Sequence, residues 1–183
     1  MEAEEAKLVE LEPEYEAAFW EYLEAMKADG DVERWLFEYH GESYAVIAEK
    51  LKCWKKGKRL PRGWVPASVF FLLHNGRFIG RVSIRHRLND FLRRIGGHIG
   101  YYIRSDERRK GYGSLILKLT LDKARRLGLK RVLVTCDEGN LGSQKIIEKN
   151  GGRLENVEPT ENGPPKRRYW IELKKGSAND GRY

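Results

Sequence analysis

Cysteine is scarce in this sequence: Cys53 and Cys136 are the two examples among 183 residues. Their spacing is that of neither a metal site nor a redox pair, so we expect two reduced, structural thiols and no metal centre. Long apolar runs are also lacking, and none approaches the ~18 residues of a membrane span. The N-terminal segment is acidic and has no apolar signal core, which predicts a cytoplasmic protein with no membrane partner.

Basic residues are in excess, at 35 against 27 acidic residues, and the net charge is +8. Such an excess attracts anions, such as nucleic acid, a membrane surface or a phosphorylated cofactor. The first 24 residues are acidic, whereas segments 53–64 and 85–94 are strongly basic. The ordinary interpretation of such charged segments is solvated surface.

No internal repeat or linker divides the chain. The length and composition favour one globular domain, which we place at residues 1–173, followed by a flexible C-terminal tail at 174–183. Hydrophobic periodicity predicts an α/β (α+β) fold with a mixed sheet and the element order β-α-α-β-β-β-α-β-α-β-β.

Local signals support this order. The Asn75–Gly76 pair between two strand-like runs predicts a β-hairpin. A helix that ends at Gly128 is expected to bury Leu117, Leu121 and Ala124. Asn140 is expected to cap the next helix. One face of the strand after the hairpin is expected to carry Phe78, Gly80, Val82 and Ile84.

The stretch "DERRKGYGS" combines cationic side chains, two glycines and the beginning of a helix. A helix N-terminus carries partial positive charge and unpaired N–H groups, and glycines allow a polyanion to approach the backbone. Residues 108–114 therefore predict a pyrophosphate-binding loop. The stretch lacks the GxxxxGK[ST] of a P-loop and the third glycine of GxGxxG.

The pattern Arg108-x-x-Gly111-x-Gly113 resembles the acetyl-CoA motif [Q/R]-x-x-G-x-[G/A] of the GCN5-related N-acetyltransferase (GNAT) superfamily. The likeness covers Arg77 to about Leu173, and "GGHIGY…RRKGYG" is similar to a "predicted acetyltransferase" branch of that superfamily. It implies a GNAT-like, mostly antiparallel sheet with helices on both faces. It also implies an acyltransferase with acetyl-CoA as cosubstrate.

The resemblance implies positions for the cofactor. The fourth and fifth strands would separate to admit pantetheine beside Tyr102, Ile103 and Arg104. Asn140 and Ser143 would contact the far arm of the cofactor. The pyrophosphate would be held by Arg108, Arg109, Lys110, Gly111, Tyr112, Gly113 and Ser114.

The implied reaction is direct attack of an amine on the thioester, and it needs a proton acceptor. His98 is the first candidate, because its ordinary pKa of ~6.5 suits proton transfer near neutrality. His86 is the second, and Glu138 or Asp137 could act through water. A strand N–H near residues 101–103 would stabilise the carbonyl oxygen.

The motif does not identify the catalytic acid that would protonate the departing thiolate. The superfamily often has a Tyr seven residues after the position of Asn140, where this chain has Ile147, and Gly152 replaces a common aromatic residue. Tyr102 is our candidate for the catalytic acid, with Tyr101, Tyr112 and Tyr169 left open. Water could also protonate the departing thiolate.

Three functions remain open at this stage. The first is an acetyl-CoA-dependent N-acetyltransferase that acts on a primary amine of a small molecule. The second is a protein or peptide N-acetyltransferase. The third is a CoA-binding or nucleic-acid-binding module without turnover, which the absence of an RNA-binding signature disfavours. A homodimer is compatible with the resemblance.

The resemblance also implies that the first two helices and their loop, together with the hairpin of the sixth and seventh strands, recognise the acceptor. The aromatic residues there are more often core, and the basic loop 55–62 would disfavour a polycation and suit an anionic acceptor or the 3′-phosphate of the cofactor. The aromatic candidates are Trp20, Trp35, Tyr39, Tyr44, Trp54 and Trp64.

Overall fold

The computed structural model describes residues 5–28 and 41–174. Trp35, Tyr39 and nearly all of the predicted tail lie outside these ranges. The described helices are α1 (Glu16–Ala28), α2 (Tyr44–Lys55), α3 (Tyr112–Arg126) and α4 (Leu141–Lys149). The strands are β1 (Lys7–Val9), β2 (Ala67–His74), β3 (Arg77–Arg85), β4 (Ile99–Ile103), β5 (Arg131–Asp137), β6 (Arg153–Glu158) and β7 (Lys166–Glu172). The predicted element order is confirmed.

The seven strands form one sheet in the order β1-β2-β3-β4-β5-β7-β6. Every neighbouring pair is antiparallel except β4 and β5, which are parallel and pair at Ile99 and Val134. The predicted mixed, mostly antiparallel sheet is therefore confirmed.

Helices cover both faces of the sheet, and each face has its own apolar core. On one face, the predicted stripe of α3 packs against β3 and β4, with Leu117 and Ala124 fully buried. On the other face, Phe19 of α1 and Ile47 of α2 pack against Phe71. None of the described helices combines the length and the apolar character that a bilayer crossing requires.

The predicted hairpin is present, with one register shift that the sequence did not reveal. Asn75 and Gly76 have φ angles of 48° and 72°, as a type I′ turn requires. Leu73 pairs with Phe78 but Leu72 pairs with Gly80, so Ile79 is an extra residue in β3. Phe78 therefore packs on the α1–α2 face while Val82 and Ile84 pack on the α3 face. The prediction of one common face was wrong for Phe78.

Candidate active site

The parallel strands β4 and β5 separate directly after their single point of pairing. On its other edge β4 stays bonded to β3: Arg85 N donates to His98 O at 2.8 Å and Arg104 N donates to Ile79 O at 3.1 Å. Because hydrogen bonds alternate along an antiparallel pair, the peptide groups of Tyr101 and Ile103 point away from β3 and into the gap. The gap therefore presents backbone donors and acceptors to an extended ligand.

A cavity of about 470 Å³ occupies this gap, and we name it the strand-gap cavity. Tyr101 and Tyr102 line it from β4, and Cys136 and Asp137 line it from β5. Asn140 and Ser143 line it from the beginning of α4. The structure thus brings together, around one cavity, two predicted residues of β4 and both predicted residues of α4.

The glycine loop lies between β4 and α3. Gly111 has a φ of 89° and is the N-cap of α3, and Arg109 also has a positive φ, at 64°. Within the described ranges, the backbone N–H groups of residues 109–113 have no hydrogen-bond acceptor. Five free donors at a helix N-terminus form a ready site for an anion.

The two glycines of the motif have different roles. A Cβ on Gly111 would meet nothing within 4 Å, so this residue serves the left-handed backbone conformation. A Cβ on Gly113 would lie 2.6 Å from Ile146 Cδ1, so this residue allows α3 to approach α4 closely. Asn150, which the sequence analysis did not single out, ties the helices together by donating from Nδ2 to Ser114 Oγ at 3.2 Å.

The three basic side chains of the loop have different partners. Arg108 is exposed and bonded to β4: Nε donates to Ile103 O at 3.1 Å, and Nη2 donates to the Tyr102 hydroxyl at 2.9 Å. Lys110 pairs with Glu107 at 2.9 Å. Arg109 is exposed and has no contact among the described residues, so it is the side chain best placed to meet a phosphate.

Arg104 is joined to α1. Its buried guanidinium pairs with Glu21 at 2.8 Å and with Asp106 at 2.7 Å, and it does not line the strand-gap cavity. Only its backbone continues β4. This geometry favours a structural role for the Arg104 side chain.

The His98 ring connects β4 to β5. Its Nδ1 accepts a hydrogen bond from Leu133 N at 2.9 Å, and the His98 N–H donates to Leu133 O at 2.7 Å. Burial, followed by the charges of Arg85 and Arg93, lowers the pKa of His98 to about 4. Because Nδ1 accepts a hydrogen bond from the Leu133 N–H, Nε2 of the neutral ring carries the hydrogen, and this geometry favours a structural role over that of a base.

The other three candidates for the base, His86, Glu138 and Asp137, differ in whether they reach the strand-gap cavity. His86 Nε2 is bonded to Ser68 Oγ at 2.9 Å, and burial together with Lys55 lowers the pKa of His86. Glu138 is exposed and does not line the strand-gap cavity. Asp137 lines the strand-gap cavity and forms an ion pair with Lys166.

Among the four tyrosine candidates, the Tyr101 hydroxyl is distinct. It is buried beside the strand-gap cavity and has no hydrogen-bond partner of ordinary geometry in the described part of the chain. Burial raises the pKa of Tyr101 to about 12, and the nearby Ser143 side chain offsets part of that rise. A buried hydroxyl without a partner is costly, so a ligand atom in the cavity would be stabilised by it.

The remaining hydroxyls are engaged elsewhere. Tyr102 accepts from Arg108, Tyr112 shares a hydrogen bond of 2.7 Å with His74 Nδ1, and Tyr169 donates to Glu148 Oε1 at 3.2 Å. Ile147, at the position where the superfamily often has a Tyr, is fully buried in the core.

A second cavity of about 380 Å³ adjoins the first, and we name it the tryptophan cavity. Trp54 and Val69 line it from α2 and β2, and Trp64, Arg85 and Phe91 line both cavities. The sequence analysis missed Arg85 and Phe91, because segment 85–94 was interpreted as solvated surface. The available signal was an aromatic residue inside a charged segment.

These features fit acetyl-CoA. The gap offers strand-like peptide groups to a pantetheine chain, the loop offers free N–H groups to a pyrophosphate, and Tyr101 places a buried hydroxyl beside the cavity wall.

Comparison with known proteins agrees with this geometry. The sequence profile of the acetyltransferase (GNAT) domain matches residues 7–153. No curated protein matches the sequence significantly. An acetyltransferase of the GNAT family from Streptococcus pneumoniae is similar at 18% identity and a TM-score of 0.65, over 93% of this chain and 100% of that one.

Two further structures contain the cofactor. The yncA protein from Salmonella typhimurium, with its cofactor acetyl-CoA, is similar at 15% identity and a TM-score of 0.60, over 97% of this chain and 99% of that one. The microcin self-immunity acetyltransferase MccE, in complex with acetyl-CoA and AMP, is similar at 16% identity and a TM-score of 0.63, over 92% of this chain and 93% of that one.

The profile covers most of the chain. The chain therefore belongs to the GNAT family and is an acetyltransferase that uses acetyl-CoA as its cosubstrate.

Proposed function

We propose that this enzyme transfers the acetyl group of acetyl-CoA to a primary amine of a small molecule. The observation that carries this proposal is the tryptophan cavity, which adjoins the strand-gap cavity through shared walls. Its volume of about 380 Å³ lies in the range of small-molecule sites. A peptide acceptor would instead need an open groove.

The cosubstrate supplies an activated acetyl thioester. In this proposal, the N–H groups of residues 109–113 and the guanidinium of Arg109 bind its pyrophosphate. The peptide groups of Tyr101 and Ile103 face the pantetheine, as an additional strand would require. We assign the Tyr101 N–H, which points into the gap, as the strand donor for charge that develops on the carbonyl oxygen.

Asn140 and Ser143 have a narrower role in this proposal than the motif implies. Asn140 Oδ1 already accepts a hydrogen bond from Ser143 N at 3.0 Å, which confirms the predicted cap of α4. The Asn140 amide N–H groups and the Ser143 hydroxyl remain at the wall of the strand-gap cavity. They are the groups of α4 that can meet the cosubstrate.

We assign to Tyr101 the role of hydrogen-bond donor to the departing sulfur of CoA. A pKa of about 12 keeps its hydroxyl protonated at neutral pH, so it can donate a hydrogen bond as negative charge develops on the sulfur. Tyr102 is less suited because its hydroxyl is held in a solvent-exposed pair with Arg108, whereas the hydroxyl of Tyr101 is buried beside the cavity.

The amine must lose a proton to become a nucleophile. Asp137 is the only carboxylate among the described residues that line either cavity. We assign it the role of proton acceptor through water, with Lys166 holding its side chain in place.

The experiment is a CoA-thiol release assay with acetyl-CoA, in which a panel of small primary amines is compared with peptides that carry a free N-terminus or a lysine. The proposal predicts turnover with at least one class of small amine and only background with the peptides. Turnover with peptides alone would overturn it, and would make the acceptor a protein.

A further inference from the structure

We infer that the acceptor is a primary amine that carries a flat aromatic ring and no second positive charge. This inference rests on the proposed function, since it names the substrate class that the tryptophan cavity would select.

Aromatic side chains form much of the wall of the tryptophan cavity. Trp54 and Trp64 are in contact, with ring centroids 5.1 Å apart and planes inclined by 54°. Trp54 is buried and its Nε1 donates to Arg59 O at 3.3 Å, so its ring is fixed. The pair presents a rigid aromatic surface, which favours a planar ligand group through stacked or edge contacts.

Two of the aromatic rings remain exposed to solvent. Trp64 is 45% exposed and Phe91 is 60% exposed, although both line the two cavities. Covering such rings with an apolar ligand removes apolar surface from water, which is favourable by ~25 cal/mol per Å². Since both residues border the strand-gap cavity as well, a ring held between them lies next to the site of acetyl transfer.

Several other residues that line the tryptophan cavity are apolar. Val65, Ala67, Val69 and Leu92 line the cavity, and Ser83 adds a hydroxyl from β3. The segment that carries Phe91 is anchored by Asn89, whose Oδ1 accepts from Leu92 N at 2.9 Å and whose Nδ2 donates to Gly63 O at 2.8 Å. The loops on which Trp64 and Phe91 lie are thereby joined.

The charged groups of the wall have one sign. Arg62, Arg81 and Arg85 line the tryptophan cavity, and no Asp or Glu from residues 5–28 or 41–174 does so. A second ammonium group on the acceptor would lose its hydration on entering the cavity and would find no carboxylate to pair with. The free energy of this desolvation would oppose binding. Polyamines and basic amino acids are therefore excluded, whereas a neutral ring or an added carboxylate is compatible.

The test measures kcat/KM by CoA-thiol release with five amines: tyramine, tryptamine, L-phenylalanine, n-hexylamine and spermidine. We expect at least one aromatic amine to exceed both n-hexylamine and spermidine by about tenfold or more, a discrimination typical of an apolar pocket. Tyramine and tryptamine against L-phenylalanine distinguish an acceptor without a carboxylate from one that carries a carboxylate.

Variants of the wall provide the second readout. Trp64→Ala and Phe91→Ala each remove an exposed ring, and we expect either one to raise KM for the best aromatic amine by about tenfold. Trp64→Phe keeps a ring and should restore most of the affinity. Trp20→Ala is the matched control, since Trp20 is 37% exposed on α1 and lines neither cavity.

The outcomes separate this inference from the proposed function. Equal turnover of n-hexylamine and the aromatic amines, or a preference for spermidine, would overturn the inference and leave small-amine acetylation intact. An unchanged KM in both alanine variants would also overturn it. Turnover of peptides alone would instead overturn the proposed function.

Discussion

Gly152 and Ile147 occupy complementary space at the end of α4. A Cβ added to Gly152 would lie 2.4 Å from Ile147 Cγ2 and 2.8 Å from the Ile147 carbonyl oxygen. The sequence shows both residues as departures from the superfamily pattern, and the structure shows that they are in contact. The absence of an aromatic residue at 152 therefore follows from the close packing of the fully buried Ile147.

We predict that Gly152→Ala destabilises the fold. A backbone carbonyl is among the atoms that the new methyl group would meet, so the end of α4 must shift, and such overpacking costs about 1–3 kcal/mol. Chemical denaturation measures the loss. Gly139→Ala is the matched control, because a Cβ at Gly139 would meet nothing within 4 Å. An equal stability of both variants would contradict the packing argument.

His98→Asn tests whether this residue is structural or catalytic. We expect stability to change by less than about 1 kcal/mol, because the side-chain oxygen of Asn can accept from the buried Leu133 N–H in place of Nδ1. We expect kcat to change by less than about threefold, well below the 10²–10⁴-fold of a general base. A loss of kcat in that larger range, in a folded variant, would return His98 to the role of base.

The pKa of His98 also predicts how the stability of the fold changes with pH. The folded-state pKa of about 4 lies below the ordinary value of 6.5. As the pH falls from 6.5 to 4, the unfolded chain binds the proton first, so the contribution of His98 to stability is complete above 6.5 and is lost as the pH approaches 4. Denaturation of the wild type and His98→Asn across this range should show a smaller pH dependence in the variant.

Tyr101→Phe should lower kcat strongly while leaving the Kd of acetyl-CoA nearly unchanged. The substitution removes only the hydroxyl that we assign to the departing sulfur, and the loss of one such donor lowers kcat by about 10²–10³-fold. Tyr102→Phe is the matched control, with an expected effect below about fivefold, because its hydroxyl lies in a solvent-exposed pair with Arg108. The reverse order of effects would transfer the role to Tyr102, the first candidate from the sequence.

Arg109→Gln should weaken acetyl-CoA binding in a salt-dependent manner. The exposed guanidinium meets the pyrophosphate in our account, and we expect affinity to fall by about tenfold at low ionic strength, with a smaller effect at high salt. Lys118→Gln removes the same charge further along α3 and should have little effect. Equal effects of the two substitutions would show a general attraction of charge instead of a specific contact.

Much of the fold could be predicted because it depends on local periodicity. The buried stripe of α3 and the Asn75–Gly76 turn are both encoded by residues close together in sequence. The extra residue at Ile79 could not be predicted, since a bulge leaves the apolar alternation of β3 nearly unchanged.

The site was predictable where a motif is short and contiguous, as in residues 108–114. The placement of His98 was not predictable, because its ring is fixed by Leu133, 35 positions away. Phe91 was missed for a similar reason: its place beside Trp64 depends on the Asn89–Gly63 hydrogen bond between two loops.

The most direct test of the central claim is a calorimetric titration with acetyl-CoA of the wild type, Gly111→Trp and Gly128→Trp. Both glycines have a positive φ and open space around them, so the two substitutions impose the same backbone strain. Our account predicts micromolar binding by the wild type and by Gly128→Trp, and loss of binding by Gly111→Trp alone. Absence of binding by the folded wild type, or undiminished binding by Gly111→Trp, would contradict it.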